Sequence, residues 1–339
     1  MSLFLKQLSL LLGAGVALDE SLKIIEEQKL DKKLNVTLHN INIELSKGLS
    51  VDQAFEINKE YFNPMIVAFI KSGSQSGRMS EVLEELSTYI DEDSKNKKII
   101  QQALAYPLIV FVVMIIIIIV VMNFVLPSFE NVFESFGKQL PLMTRILMGI
   151  SRFFANRGLY LLLILVLIII SIVFLRKDES IRLKLDKFHF LNLPFFKYRR
   201  LGLEYQLTSL LYILKAGDID IIKSLEIIRE SFNNTYIKEV LNQIIKDLKR
   251  GYSLSKSMAE KDIFSPLLVS MLKIGEDSGE MTLALKKSSD YFSSDYIYKL
   301  KHISTLAEPI MIIIMSILVG FVVFAIALPI FESVNGISF

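Results

Sequence analysis

Three stretches of this 339-residue chain, 108–126, 158–175 and 309–328, are apolar over the length of a membrane core and hold no charged side chain. At about 1.5 Å rise per residue, each suffices as a helix to cross hydrocarbon about 30 Å thick. The first is interrupted only by Asn123, the second by Tyr160 and Ser171, the third by Ser316 and Gly320. Helices apolar on every face for so long are seldom the core of a soluble domain. The remainder of the chain is unsuited to lipid, since 22% of all residues are charged although 52% are hydrophobic and mean hydropathy is +0.46. Such a sequence alternates between two solvents.

Basic residues near the span ends set an orientation. Lys95, Lys97 and Lys98 precede the first stretch, Arg176, Lys177, Arg182, Lys184 and Lys187 follow the second, and Lys299 and Lys301 precede the third. The loop 128–157 carries a thinner scatter (Lys138, Arg145, Arg152, Arg157), and the tail 329–339 carries no Lys or Arg. The N-terminus and residues 176–305 are therefore expected in the cytoplasm, the loop and the tail outside. The segment 176–200, with eight basic against three acidic residues, suits an anionic membrane surface. A net charge of +2 argues against direct nucleic-acid binding. Absence of cysteine excludes disulfides and thiolate metal sites.

An internal repeat divides the chain. LLGAGVALDESLKII at 11–25 returns as ILKAGDIDIIKSLEII at 213–228, LSKGLS at 45–50 as LKRGYS at 248–253, FNP at 62–64 as FSP at 264–266, and IKSGSQSGRM at 70–79 as LKIGEDSGEM at 272–281. Pro107 and Pro309 open the first and third stretches, and Pro127 and Pro329 close them. The offset is 202 at the Ala-Gly pairs, 203 at L-x-x-G-x-S and 202 again at the spans, which reads as one inserted residue near Asp218 and one later deletion. Two copies that each end in an outward span require a return crossing between them. The unrepeated stretch 158–175 supplies it, in agreement with the basic flanks. The recurrence also shows that the apolar segment 2–18 is structure rather than a cleaved signal.

Apolar residues at three- and four-residue steps predict about six short helices per copy, the last running toward the membrane. Gly15 and Gly217 fall where helices would end, Ser50 and Ser253 where N-caps would stand, and Pro64 and Pro266 in first helical turns. The expected architecture is an all-α membrane protein: two homologous cytoplasmic six-helix bundle domains in tandem, 1–101 and 176–305, with three transmembrane helices, 107–127, 158–175 and 309–328.

Chemistry-bearing motifs are missing. His39, His189 and His302 lack metal-ligand spacing, and there is no phosphate-binding G-x-x-x-x-G-K-[ST]. SGSQSG at 72–77 and GEDSG at 275–279 are glycine-rich but have no lysine to contact phosphate, and read as tight turns between helices. Glu276 and Asp277 read as surface carboxylates, a cation site being the alternative, since the first copy has Ser74 and Gln75 there. No metal, cofactor or catalytic residue is expected, and the chain reads as a non-enzyme.

The succession F-x-x-x-L-x-x-L-L-x-A-G (Phe4 to Gly15), L-x-x-G-x-S (Leu45 to Ser50), F-x-P (Phe62 to Pro64) and x-x-G-E-x-S-G (Gly275 to Gly279, with Ser74 replacing the acid in Gly73 to Gly77), closed by a proline-headed span, resembles the type II secretion system F family. The start of the first copy almost at Met1 and the Ile- and Lys-rich composition look more like Gram-positive competence or pilus versions. The resemblance implies a polytopic platform in the bacterial inner membrane. Its partners would be a cytoplasmic assembly ATPase, pilins or pseudopilins, the lipid bilayer and further copies of itself. The role would lie in type IV pilus biogenesis, competence DNA uptake or type II secretion. A membrane subunit of a transporter driven by a separate ATPase is the alternative. Gly73, Ser76, Gly77, Gly275, Glu276, Ser278 and Gly279 are the candidate partner-docking or turn residues.

Overall fold

The computed structural model describes residues 1–125, 178–191 and 196–335, and positions 145, 146, 149, 153 and 167. Apart from those positions, the return span expected at 158–175 and the loop expected at 128–157 lie outside the described residues. Every regular element among the described residues is helical, as the spacing of apolar side chains predicts. The first copy comprises α1 (Ser2–Gly13), α2 (Leu18–Glu27), α3 (Lys32–Ser46), α4 (Val51–Ile57), α5 (Pro64–Ser76) and α6 (Met79–Val120), which ends in a π-helical turn, Val121–Val125. An additional helix, α7 (Glu179–Leu191), precedes the second copy. That copy comprises α8 (Phe196–Ala216), α9 (Ile221–Ser231), α10 (Thr235–Lys249), α11 (Leu254–Ala259), α12 (Pro266–Ser278) and α13 (Met281–Asn335).

The repeated motifs are helix punctuation. In F-x-P the aromatic side chains Phe62 and Phe264 are buried, and the middle residue is the N-cap. Asn63 Oδ1 accepts from the Met65 N–H at 3.0 Å and Ser265 Oγ from the Leu268 N–H at 3.3 Å, while Pro64 and Pro266 take the first helical position, where no N–H is needed. In L-x-x-G-x-S, Gly48 and Gly251 adopt φ of +88° and +91° after α3 and α10, and Ser50 and Ser253 cap α4 and α11.

The Ala-Gly pairs at 14–15 and 216–217 are not equivalent in the fold, contrary to the offset of 202 read from their identity. After α1 the left-handed residue is Gly15, and the Val16 N–H reaches the Leu11 carbonyl; after α8 it is Asp218, at φ +62°, and the Ile219 N–H reaches Leu214. Gly15 therefore corresponds to Asp218, 203 residues on. The copies differ by a single residue, lost where seven-residue α4 becomes six-residue α11. Asp tolerates the left-handed region better than most side chains, which is why the sequence signal was blurred here.

Residues Met1–Asn96 and Glu179–Lys299 form one compact unit, which holds helices of both copies. One apolar cluster runs from Phe4 and Leu8 in the first copy to Leu285 and Phe292 in the second. Helix α8 lies at its centre, burying Leu203, Tyr205, Leu207, Leu210, Leu211 and Leu214.

The other described helix segments belong to a second unit. Pro107, Pro309 and Pro329 do not start or stop helices: α6 passes through the first and α13 through the other two. Membrane helices tolerate internal prolines, because neighbouring groups satisfy the freed carbonyls. Within Met281–Phe324, α13 is long and apolar enough to cross a membrane, with hydropathy of 2.5 in its most apolar window and none of that window buried. The stretch Leu108–Val120 of α6 is apolar but shorter among the described residues.

A substitution pair checks the register. Asp218→Gly removes a side chain from the left-handed region and should stabilise the chain by about 1 kcal/mol, and Gly15→Val should cost at least as much. In detergent, melting should shift in opposite directions by roughly 2–4 °C per kcal/mol.

Candidate functional site

The glycine-rich segments form helix ends, not loops. Gly73 and Gly275 lie inside α5 and α12, Ser76 and Ser278 are their last residues, and Gly77 and Gly279 follow at φ +71° and +73°. The two glycines of each motif do different work. A Cβ on Gly73 would stand 3.0 Å from Met79 Cα, and one on Gly275 would stand 2.6 Å from Ala284 Cβ, so these positions admit the next helix at close range. A Cβ on Gly77 or Gly279 would meet nothing within 4 Å; there the backbone conformation alone demands glycine. The serines bond back into their own helices, Ser76 Oγ to the Gly73 carbonyl at 3.3 Å and Ser278 Oγ to that of Ile274 at 2.7 Å.

Glu276 is not the surface carboxylate that its sequence context suggests. Its Oε1 accepts from the Leu254 N–H at 2.5 Å and the Ser255 N–H at 3.3 Å, and its Oε2 accepts from the Ser255 hydroxyl. It thereby neutralises the positive end of α11 from a neighbouring helix. Asp277, one residue on, is exposed. In the first copy, with Ser74 in that place, α4 is served locally, Gln53 Oε1 accepting from the Ser50 N–H at 3.2 Å. Among the described residues no group of three or more His, Cys, Asp or Glu is arranged to hold a metal ion.

Sequence reasoning missed the contacts that join the copies. Tyr212 donates its hydroxyl to Glu85 at 3.0 Å, and Tyr205 donates to Glu92 at 3.3 Å. Ser293 of α13 reaches the same Glu92 oxygen at 3.3 Å, and the Tyr205 ring stacks on Tyr296 with centroids 5.4 Å apart. Burial, then Glu85, raises the Tyr212 hydroxyl to about 12; burial and then Glu92 raise that of Tyr205 further still, so both remain donors. Around them α6, α8 and α13 line an open polar cleft of about 480 Å³, with Glu85, Glu92, Tyr212, Lys286 and Asp290 among its walls. Arg78 Nη1 donates to the Ala216 carbonyl at 2.9 Å, and Lys223 Nζ to Gln75 Oε1 at 2.7 Å.

Glu204, only 2% exposed on α8, accepts from the Ser265 N–H, so that one carboxylate joins two helices of the second copy. A single acid among the apolar residues of LGLEYQLTSLL is the signal that could have revealed it. Burial raises its pKa, with the hydrogen bonds from Ser265 opposing.

A family model described as type II secretion system (T2SS), protein F, matches residues 4–127 and again 207–329. The chain belongs to the type II secretion system F family. The two family segments begin 203 residues apart and end 202 apart, the same single-residue difference that the backbone shows. The type IV pilus assembly protein PilC of Pseudomonas aeruginosa is 28% identical over 338 residues, covering 98% of this chain and 90% of that protein. PilC of Thermus thermophilus is 26% identical over 340 residues, covering 100% and 83% respectively. The type II secretion system protein F of Aeromonas hydrophila is 26% identical over 339 residues, covering 100% and 87%. In this F-family chain, five of the seven motif residues (the four glycines and Glu276) shape helix ends or packing, and the two serines bond within their own helices.

Glu276→Ala leaves two N–H groups of α11 without their acceptor and should cost about 1–2 kcal/mol, read by denaturant or thermal unfolding in detergent. Glu204→Gln keeps an acceptor for Ser265 and removes a charge. Because the folded chain binds the Glu204 proton more tightly than the unfolded chain, wild-type stability should fall as pH rises from the ordinary glutamate value through the raised one. The variant should show a flatter pH profile across that window and melt higher above it.

Proposed function

We infer that this chain is a platform protein of the bacterial inner membrane, coupling a cytoplasmic assembly ATPase to the assembly of pilins or pseudopilins. Family membership supports the setting, and relatives carrying the names type IV pilus assembly protein and type II secretion system protein F support the kind of machinery. The observation that carries the mechanical part is the joint clamping of α6 and α13 on buried α8. Glu85 and Tyr89 of α6, and Ser289 and Tyr296 of α13, all pack or bond against it. Each of these two helices then runs without a loop into its apolar stretch. A force applied to the packed unit has two unbroken helices along which to reach the bilayer.

In this reading, 1–101 and 176–305 are cytoplasmic six-helix domains and the chain crosses the membrane three times, at 107–127, 158–175 and 309–328. The N-terminus is inside, while the loop 128–157 and the tail 329–339 are outside. The chain acts as a scaffold rather than an enzyme and works as a homo-oligomer. Its contacts are the ATPase, the pilins and the lipid.

Deletion should abolish filament assembly while pilin synthesis and the basal turnover of the isolated ATPase continue. Reporter fusions after residues 98 and 190 should read cytoplasmic, and those at Lys138 and Phe339 external. ATP hydrolysis by the purified chain alone, or solute transport into vesicles lacking pilins, would sink the platform reading.

A further inference from the structure

Helices α5 and α12 occupy the same place in the two copies, and one face of each meets a different fate. In α5 that face is Met65, Ala68, Ser72 and Gln75; α5 packs against α9, Lys223 of α9 is bonded to Gln75, and Met65 is 8% and Ser72 1% exposed. The corresponding residues of α12 are Leu267, Ser270, Ile274 and Asp277. There Leu267 is 40% and Ile274 65% exposed, and Leu283 just beyond the Gly279 turn is 52% exposed. The open face is thus more apolar than the covered one, a large isoleucine standing where the buried copy has a serine. Apolar side chains aligned along a solvent-facing helix, with charge at one end, mark an interaction surface rather than a solvated one.

We propose that this face of α12 is a docking surface for an amphipathic helix of another protein, one with an apolar ridge and a lysine or arginine over Asp277 and Glu280. The seating of α9 on α5 is the template: its apolar side packs on the helix, and Lys223, in its first turn, reaches position 75, the counterpart of 277. The charges determine who can occupy the second site. Asp277 and Glu280 stand where the first copy has Gln75 and Arg78, so the open face is acidic where the covered face is neutral and basic. In a second copy of this chain the helix analogous to α9 is α2, which offers Asp19 and Glu20, the latter at the position of Lys223. Like charges would meet, and Glu280 could not donate to a carbonyl as Arg78 does. Self-association through this face is therefore disfavoured, and a basic helix from elsewhere is favoured.

The test uses a labelled peptide of residues 217–232 made net basic by Asp218→Asn, Asp220→Asn, Glu226→Lys and Glu230→Lys, stapled to remain helical on its outward side, and added to the full chain in detergent micelles. Saturable binding is expected, at least tenfold weaker with Ile274→Asp or Asp277→Lys in the protein, and likewise with Lys223→Glu in the peptide. Lys223→Glu peptide should regain affinity for Asp277→Lys protein, which a merely destabilised fold would not produce. Absence of saturable binding, or binding indifferent to charge reversal at 277, overturns the proposal. So does a self-associated chain that Ile274→Asp converts to monomer, because the occupant would then be a second copy. Filament assembly is not the readout, so failure here leaves the platform reading untouched.

Discussion

The burial of α8 is the constraint on which the rest of the packed unit depends. Most surface helices hide one stripe, but α8 buries eleven of its 21 residues, including Glu204, Thr208 and Ser209. Fully burying a leucine contributes about 1.5–3 kcal/mol, which favours such a helix only if its polar groups find partners. They do: Glu204 holds the Ser265 N–H, Thr208 the carbonyl of Glu204 at 2.7 Å, and Ser209 the Ser289 hydroxyl at 2.8 Å. Each partner lies on a different part of the second copy or on α8 itself. Tyr205 and Tyr212 of the same helix donate to acids of α6. A helix belonging to the second copy thus organises both.

Duplication explains why the motifs recur, and the packed unit explains why they are not used identically. Both F-x-P segments cap and start a helix, and both G-x-x-x-G segments combine one glycine for close approach with one for a left-handed turn. The copies diverge where they touch. Gln75 and Arg78 contact α9 and the end of α8, whereas Asp277 and Glu280 face outward. Glu276 caps α11 across helices, whereas α4 has its own Gln53. Once two copies share one packed unit in which α5 meets α9, equivalent positions have different neighbours and their side chains serve different purposes.

The long helices α6 and α13 carry the structural logic of the functional reading. Neither is interrupted between the residues that pack on α8 and those that are apolar all round, and Pro107, Pro309 and Pro329, which look like boundaries in sequence, are internal to them. Polar contacts such as Tyr205–Glu92–Ser293 fasten them to the same core. They do so with hydrogen bonds, whose direction matters more than that of an apolar contact.

Periodicity and punctuation were legible from residue order alone: the helical class, the repeat, the caps at Ser50 and Ser253, the prolines at first turns and the glycines at turns. These are local consequences of φ preference, missing N–H groups and side-chain spacing, acting within a few residues. Tertiary structure alone decided the rest. It joined the copies into one core, made Asp218 rather than Gly217 the counterpart of Gly15, turned Glu276 inward to a helix 22 residues away, and left Ile274 open while burying Ser72. Each of those outcomes depends on which surfaces meet, and a carboxylate or an isoleucine has the same identity in the sequence whether a partner covers it or not.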